Sequence, residues 1–195
     1  MTITLISFCR NFAHIVGTRS IVAFLPVLLL GACTSLSNDP SRRTPGVVFD
    51  DAVLEVIVER EIRKSNAEYK GSHIVIQAFN GVVLIAGQVA TEELRANAST
   101  VVGTINKVRT IHNVLTVAGP TSMVARSNDA WLTTKVKTRL IAAKNADGTK
   151  IKVLTENSIV YLQGLVSRSQ ADNAVNVAKD SYGVQKIVKV FEYLD

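Results

Sequence analysis

Few side chains here could do chemistry, and their spacing limits what kind. His73 and His112 are the histidines downstream of Cys33. Neither has a cysteine or a second histidine at metal-ligand spacing. Each sits at the predicted end of a strand, with no nucleophile or carboxylate marked beside it. Both read as surface polar residues, and the expectation is a protein that is not an enzyme, with no catalytic residue, metal or cofactor. No glycine loop of the phosphate-binding kind occurs. The remaining candidate is interfacial. Trp131, the only tryptophan, precedes Leu132 on a patterned helix and shares its side with Thr134, Lys135 and Thr138, with Lys137 and Arg139 following. An indole at the margin of a core, beside lysines and threonines, suits a membrane–water interface. The same residues also suit a structural role, with Trp131 packed between domains or capping a core and the lysines forming a solvated face.

The two cysteines are Cys9 and Cys33. An uncharged apolar run from Ile21 to Leu30, broken only by Pro26, follows Arg10 and Arg19 with no acidic residue upstream. That is the order of a bacterial export signal. Ile21 to Cys33 is shorter than the roughly 20 apolar residues a membrane span needs. The run ends in Leu30-Gly31-Ala32-Cys33, which resembles a bacterial lipobox. The resemblance implies that 1–32 is a lipoprotein signal peptide and that Cys33 is the lipidation site, with acyl chains (palmitate among them) on its sulfur and N-terminus. The alternative is an ordinary signal peptide cut before an unmodified Cys33. Thr34, rather than Asp, follows the cysteine, and resemblance to enterobacterial lipoproteins then implies the outer membrane, facing the periplasm. Met1 to Ser20 is long for an n-region, which points to initiation downstream of Met1.

Processing would remove Arg10 and Arg19 and take the formal net charge from +6 to +4. No cysteine would remain for a disulfide, so stability must come from packing. Residues 33–49 read as the lipidated cysteine and a flexible tether, rich in Ser, Asn, Asp, Pro and Arg.

The rest of the chain is a duplication. Asp50-Asp51-Ala52-Val53-Leu54 aligns with Asn128-Asp129-Ala130-Trp131-Leu132. Asn80-Gly81-Val82-Val83-Leu84-Ile85-Ala86-Gly87-Gln88-Val89 aligns with Asn157-Ser158-Ile159-Val160-Tyr161-Leu162-Gln163-Gly164-Leu165-Val166. The offset slips by single residues between elements, as loops allow. Two domains follow, 50–118 and 127–195, joined by a linker, 119–126. In each, a first helix carries apolar residues at i, i+4 and i+8: Leu54, Val58, Ile62 and Leu132, Val136, Leu140. A strand, Ile74–Ile76 or Ile151–Val153, enters a tight turn. Asn80-Gly81 is a strong hairpin signal, and Asn157-Ser158 a weaker one implying a looser turn. The second strand alternates, and Gly87 or Gly164 reads as a gap where a helix approaches the sheet. A second helix follows, with Leu94, Ala98 and Ile105, or Ala171, Val175 and Ala178, inward. Ser167 and Gln170 have capping-box spacing. A last strand, Asn113–Ala118 or Lys186–Tyr193, closes each copy. The order αββαβ, twice, predicts α+β architecture: two tandem two-layer sandwiches, each a three-stranded mixed sheet with two helices on one face. Each copy is near the lower size limit for folding alone, so the copies are expected to pack together.

The Asn-Gly-x-Val-x-Leu/Ile-x-Gly-x-Val hairpin, the helix after it and the closing Val-x-x-Ile/Val strand resemble the BON domain. A lipobox followed by two such copies resembles the dual-BON outer-membrane lipoproteins of Gram-negative bacteria. The resemblance implies phospholipid association and support of outer-membrane integrity. It also favours the membrane reading of the first helix of the second copy, with Trp131, Lys135, Lys137 and Arg139 as phospholipid-binding residues. Charge agrees with this. Copy one has 7 basic and 8 acidic residues, copy two 10 and 7, so an anionic phospholipid membrane would be met by copy two. A basic surface also suits nucleic acid, but an exported protein rarely meets it and the aromatics are not interleaved for stacking. The alternative function is a protein-interaction adaptor for outer-membrane proteins or their assembly machinery. Such an adaptor would use the closing strands, with Thr116 and Lys189, as open sheet edges. Salt separates the two: lipid docking through Lys and Arg weakens with ionic strength, strand addition does not.

Overall fold

A computed structural model of the chain describes residues 43–194. The segment expected to be a signal peptide, 1–32, and the expected lipidation site Cys33 lie outside the described residues.

The first helix, α1 (Pro45–Ser65), starts well ahead of Asp50. Thr44 accepts from the Val47 N–H, and Pro45 stands where a helix N-terminus loses nothing by lacking an N–H. The segment expected to be tether through residue 49 is therefore helical from Pro45. The first helix of copy two, α3 (Met123–Ala142), likewise extends back into the expected linker, because Ser122 caps it by accepting from the Ala125 N–H. Leu54, Val58 and Ile62, and in copy two Leu132, Val136 and Leu140, are buried as their spacing predicts.

After a short 3-10 turn, Ala67–Gly71, copy one continues through β1 (His73–Phe79), β2 (Val82–Val89), α2 (Glu92–Gly103), β3 (Thr110–Asn113) and β4 (Thr116–Val117). Copy two continues through a 3-10 turn, Gly148–Lys150, then β5 (Ile151–Glu156), β6 (Ile159–Val166), α4 (Arg168–Lys179) and β7 (Lys186–Tyr193). In each sheet the second strand is central, antiparallel to the first and parallel to the last. The closing strands are therefore edges. In copy one this strand begins earlier than its pattern predicts and is interrupted. The Asn113 amide donates to the Arg95 carbonyl and Ser99 Oγ on α2, and its Oδ1 accepts from the Leu115 N–H. These bonds pull the chain out of the ladder and turn Leu115 into the core.

Both hairpins make the same turn. Asn80 and Gly81 have φ 52° and 75°; Asn157 and Ser158 have φ 50° and 61°. The second turn is thus not looser, and a carboxylate explains why. Asp51 accepts from the Asn80 and Gly81 N–H groups at 2.8 and 3.0 Å, and Asp129 from those of Asn157 and Ser158 at 2.9 Å each. Both aspartates sit on first helices and are buried. Ser158 holds a left-handed conformation that glycine adopts freely, at a cost of about 1 kcal/mol. Ser158→Gly is expected to stabilise the protein by about that amount in urea unfolding. A variant of lower stability would contradict it.

The helices cover one face of each sheet. The expected inward residues Leu94, Ala98, Ala171 and Ala178 are buried, joined by Val102 and Ala174, while Ile105 and Val175 are partly covered. Ser167 and Gln170 form the expected capping box. The other sheet faces meet each other. Val82 and Leu84 of copy one and Tyr161 and Val190 of copy two form a third buried cluster, flanked by Val114, Leu154, Ile159 and Val188. The described chain is therefore a helix–sheet–sheet–helix stack. Polar bonds cross the same seam. Gln163 Nε2 donates to the Val82 carbonyl at 2.8 Å, and Gln88 Nε2 to Glu156 Oε1 at 2.8 Å. Lys152 Nζ bridges Glu55 Oε1 and the Ala78 carbonyl at 2.8 and 2.9 Å.

Candidate functional site

The side of α3 turned away from its core carries the residues of interest. Trp131 is 60% exposed. One turn on, Lys135 places its ammonium 4.7 Å from the Trp131 ring centroid and 5.8 Å from that of Tyr182. The same ammonium donates to the Tyr182 carbonyl at 3.2 Å. One further turn on, Arg139 Nη1 donates to the Asp180 carbonyl at 2.6 Å. Residues 131, 135 and 139 are spaced i, i+4, i+8, so they form a ridge, and the turn after α4 is fastened along it. Val124, seven residues before Trp131 and 71% exposed, lies on the same face one step back.

Tyr182 is the residue sequence reasoning missed. It is 89% exposed, in the turn between α4 and β7. Gly183 beside it has φ 102°, and Lys107 at the matching place in copy one has φ 75°. The turn is thus shared, but copy one presents Asn106 where copy two presents Tyr182. An aromatic substituted for a polar residue at an exposed turn was the available signal. The rings and the cation act together: an ammonium over an indole is held by the ring's negative face, and two of its three donors remain for a ligand.

Lys137 does not join this face. Its ammonium donates to the carbonyls of Gly148 at 2.8 Å and Ile151 at 2.5 Å. Burial, together with the positive charges of Arg43 and Lys152, holds its pKa below the usual lysine value. The reason lies in helix geometry: Lys137 is six residues, about 240°, from Trp131. It ties α3 to the start of β5 and corrects the expectation that it meets a ligand beside Lys135.

The histidines are placed differently from one another. His73 is not a free surface residue; its Nε2 lies 3.3 Å from Glu156 Oε2 across the seam between copies. His112 lies within β3 and is half-buried. Among the described residues no group of three His, Cys, Asp or Glu side chains stands close enough to hold a metal ion. No described helix is long and apolar enough to cross a membrane.

Compared with known families, residues 50–119 and 128–195 each match the BON domain. A protein of Haemophilus influenzae named "Outer membrane lipoprotein DolP" is 36% identical over 160 residues, 82% of each chain. The "21 kDa hemolysin" of Actinobacillus pleuropneumoniae is 34% identical over 152 residues, 78% of each chain. The "Osmotically-inducible protein Y" of Escherichia coli is 26% identical over 152 residues, covering 76% of this chain and 75% of the other.

Proposed function

Because the chain belongs to the BON-domain family, with two copies that span most of it, we propose that it is a lipid-anchored outer-membrane protein whose second copy docks on anionic phospholipid, supporting membrane integrity. Cys33 is its acylated anchor, and the Haemophilus relative's name supports that address. The observation that carries the docking is the Lys135 ammonium held between two exposed aromatic rings, with Arg139 a turn away, on the copy with excess positive charge. In this reading Trp131 and Tyr182 enter the headgroup layer and Lys135 and Arg139 meet phosphates.

Trp131 is the only tryptophan, so its emission has a single source. Residues 34–195, without acyl chains, are titrated with neutral and with anionic vesicles. The expected result is a blue shift with anionic vesicles alone, reversed by salt. A Lys or Arg near an anionic surface contributes about 1 kcal/mol, so Lys135→Glu should weaken binding by about 30-fold. Absence of any shift with anionic vesicles would sink the proposal. A second reading rests on β7, an eight-residue edge strand able to accept a strand from another outer-membrane protein or its assembly machinery. Binding of that kind would leave Trp131 emission unmoved and would survive high salt.

A further inference from the structure

α1 has two apolar stripes. One holds Leu54, Val58 and Ile62 and is buried. The other holds Phe49, Val53 and Val56, 69%, 41% and 66% exposed. At 100° per residue these three fall within about 60° of arc, on the side opposite the core. Nothing among the described residues covers them. Val53 and Ile57 also wall a groove of about 240 Å³, closed by Ile105 and rimmed by Asp50 and Lys107, which pair at 3.1 Å. Large apolar side chains aligned on one exposed helix face mark a contact surface.

The chain itself indicates the occupant. Arg43, just before α1, is fastened to the fold: Nη1 lies 2.6 Å from Asp51 Oδ2, and the guanidinium stacks 4.0 Å above the Phe79 ring. It lies ten positions after Cys33. Even fully extended, that stretch reaches about 35 Å. An acylated Cys33 therefore holds the start of α1 close to a bilayer, and the Phe49 stripe begins one helical turn from that start. Copy two presents its Trp131 face at the same place in the domain, with Val53 matching Trp131. The copy-one version lacks the charge: Ile57 stands where copy two has Lys135, and Glu61 where it has Arg139.

We propose that α1 makes its own charge-independent contact with the lipid surface that anchors Cys33, with Phe49, Val53 and Val56 in its interfacial layer, in a pose alternative to docking through α3, which lies on the opposite outer layer of the stack. The proposal rests on the lipid-anchor reading above. One aromatic and two valines bind weakly on their own, but a tethered surface meets them at high effective concentration. The contact therefore belongs to the lipidated chain.

The test uses the mature lipidated protein in vesicles. Cys9 leaves with the signal and Cys33 is acylated, so Phe49→Cys or Val56→Cys provides the single free thiol for an environment-sensitive fluorophore. Ala96→Cys, exposed on α2, is the control. The expected result is blue-shifted emission at 49 and 56, quenched by a lipid-borne quencher. It should occur in neutral phosphatidylcholine vesicles at 0.5 M salt (~4 Å screening length) and in a Lys135→Glu background, with no shift at 96. Mass analysis of the Cys33 peptide comes first. A peptide without acyl mass would overturn the anchor reading and this proposal with it. An acylated chain whose labels at 49 and 56 stay aqueous overturns this proposal alone. A shift that grows with protein concentration and escapes the lipid quencher means that a second copy covers the face, which also overturns it.

Discussion

Gly87→Ala should cost about 3 kcal/mol or more, enough to leave a domain of this size largely unfolded under mild denaturant. Gly87 has φ 119°, a conformation that L side chains rarely adopt. A Cβ built there lies 2.0 Å from the His73 carbonyl oxygen and 2.9 Å from its carbon. The obstruction is backbone of the neighbouring strand, which cannot rotate away, and β2 is central and paired on both sides. The matched Gly164 is less confined. Its added Cβ would meet the Lys150 carbonyl oxygen at 2.8 Å, and a shift of the strand end relieves that for about 1–2 kcal/mol. Urea unfolding of both variants checks the order; a Gly87→Ala protein as stable as Gly164→Ala would contradict this account. The two glycines make room for the start of the adjoining strand, not for an approaching helix as the sequence pattern suggested.

Leu84→Ala and Ile85→Ala should each cost about 3 kcal/mol, as deletions from buried sites do, yet leave different footprints. Both residues are fully buried on β2. Ile85 faces the helices of copy one, and Leu84 faces copy two. Hydrogen exchange should therefore find β6 and β7 amides deprotected in Leu84→Ala, because Leu84 packs with Tyr161 and Val190. In Ile85→Ala the loss should stay in copy one. Identical footprints would mean that the seam between the sheets carries no cohesion of its own.

That seam was partly legible in the residues. The run Val82-Val83-Leu84-Ile85-Ala86 has no polar alternation, and every residue of β2 is buried. Such a strand needs cover on both faces. Reading Val83, Ile85, Gly87 and Val89 as one face accounts for the helices and leaves Val82, Leu84 and Ala86 without a partner, which copy two supplies. The hairpins, the two first-helix stripes and the capping box followed from local rules: period, turn chemistry and side-chain reach. Local rules failed where a distant group intervened. Asp129 holds Ser158 in a turn that serine alone would not choose. Asn113 breaks a strand by bonding to α2. At the candidate site, Trp131, Lys135 and Arg139 follow from helical spacing, and the same spacing sets Lys137 apart once its angle is counted. Tyr182 lies 51 residues from Trp131 in sequence, and only the α4–β7 turn brings it to the ridge.

The bonds across the seam also bear on what the duplication became. Lys152, Glu156 and Gln163 align with Val75, Phe79 and Ala86 of copy one, none of which can make the same bond. Each polar crossing exists once, in one direction. A chain built from two first copies would leave Gln77 and Gln88 facing no Gln163 or Glu156, and one built from two second copies would bury Lys152, Glu156 and Gln163 against their own kind. The halves began as repeats and now fit as lock to key, so neither can stand in for the other at the seam. The outward faces of the first helices differ as well, one carrying charge and aromatic rings, the other Phe49, Val53 and Val56.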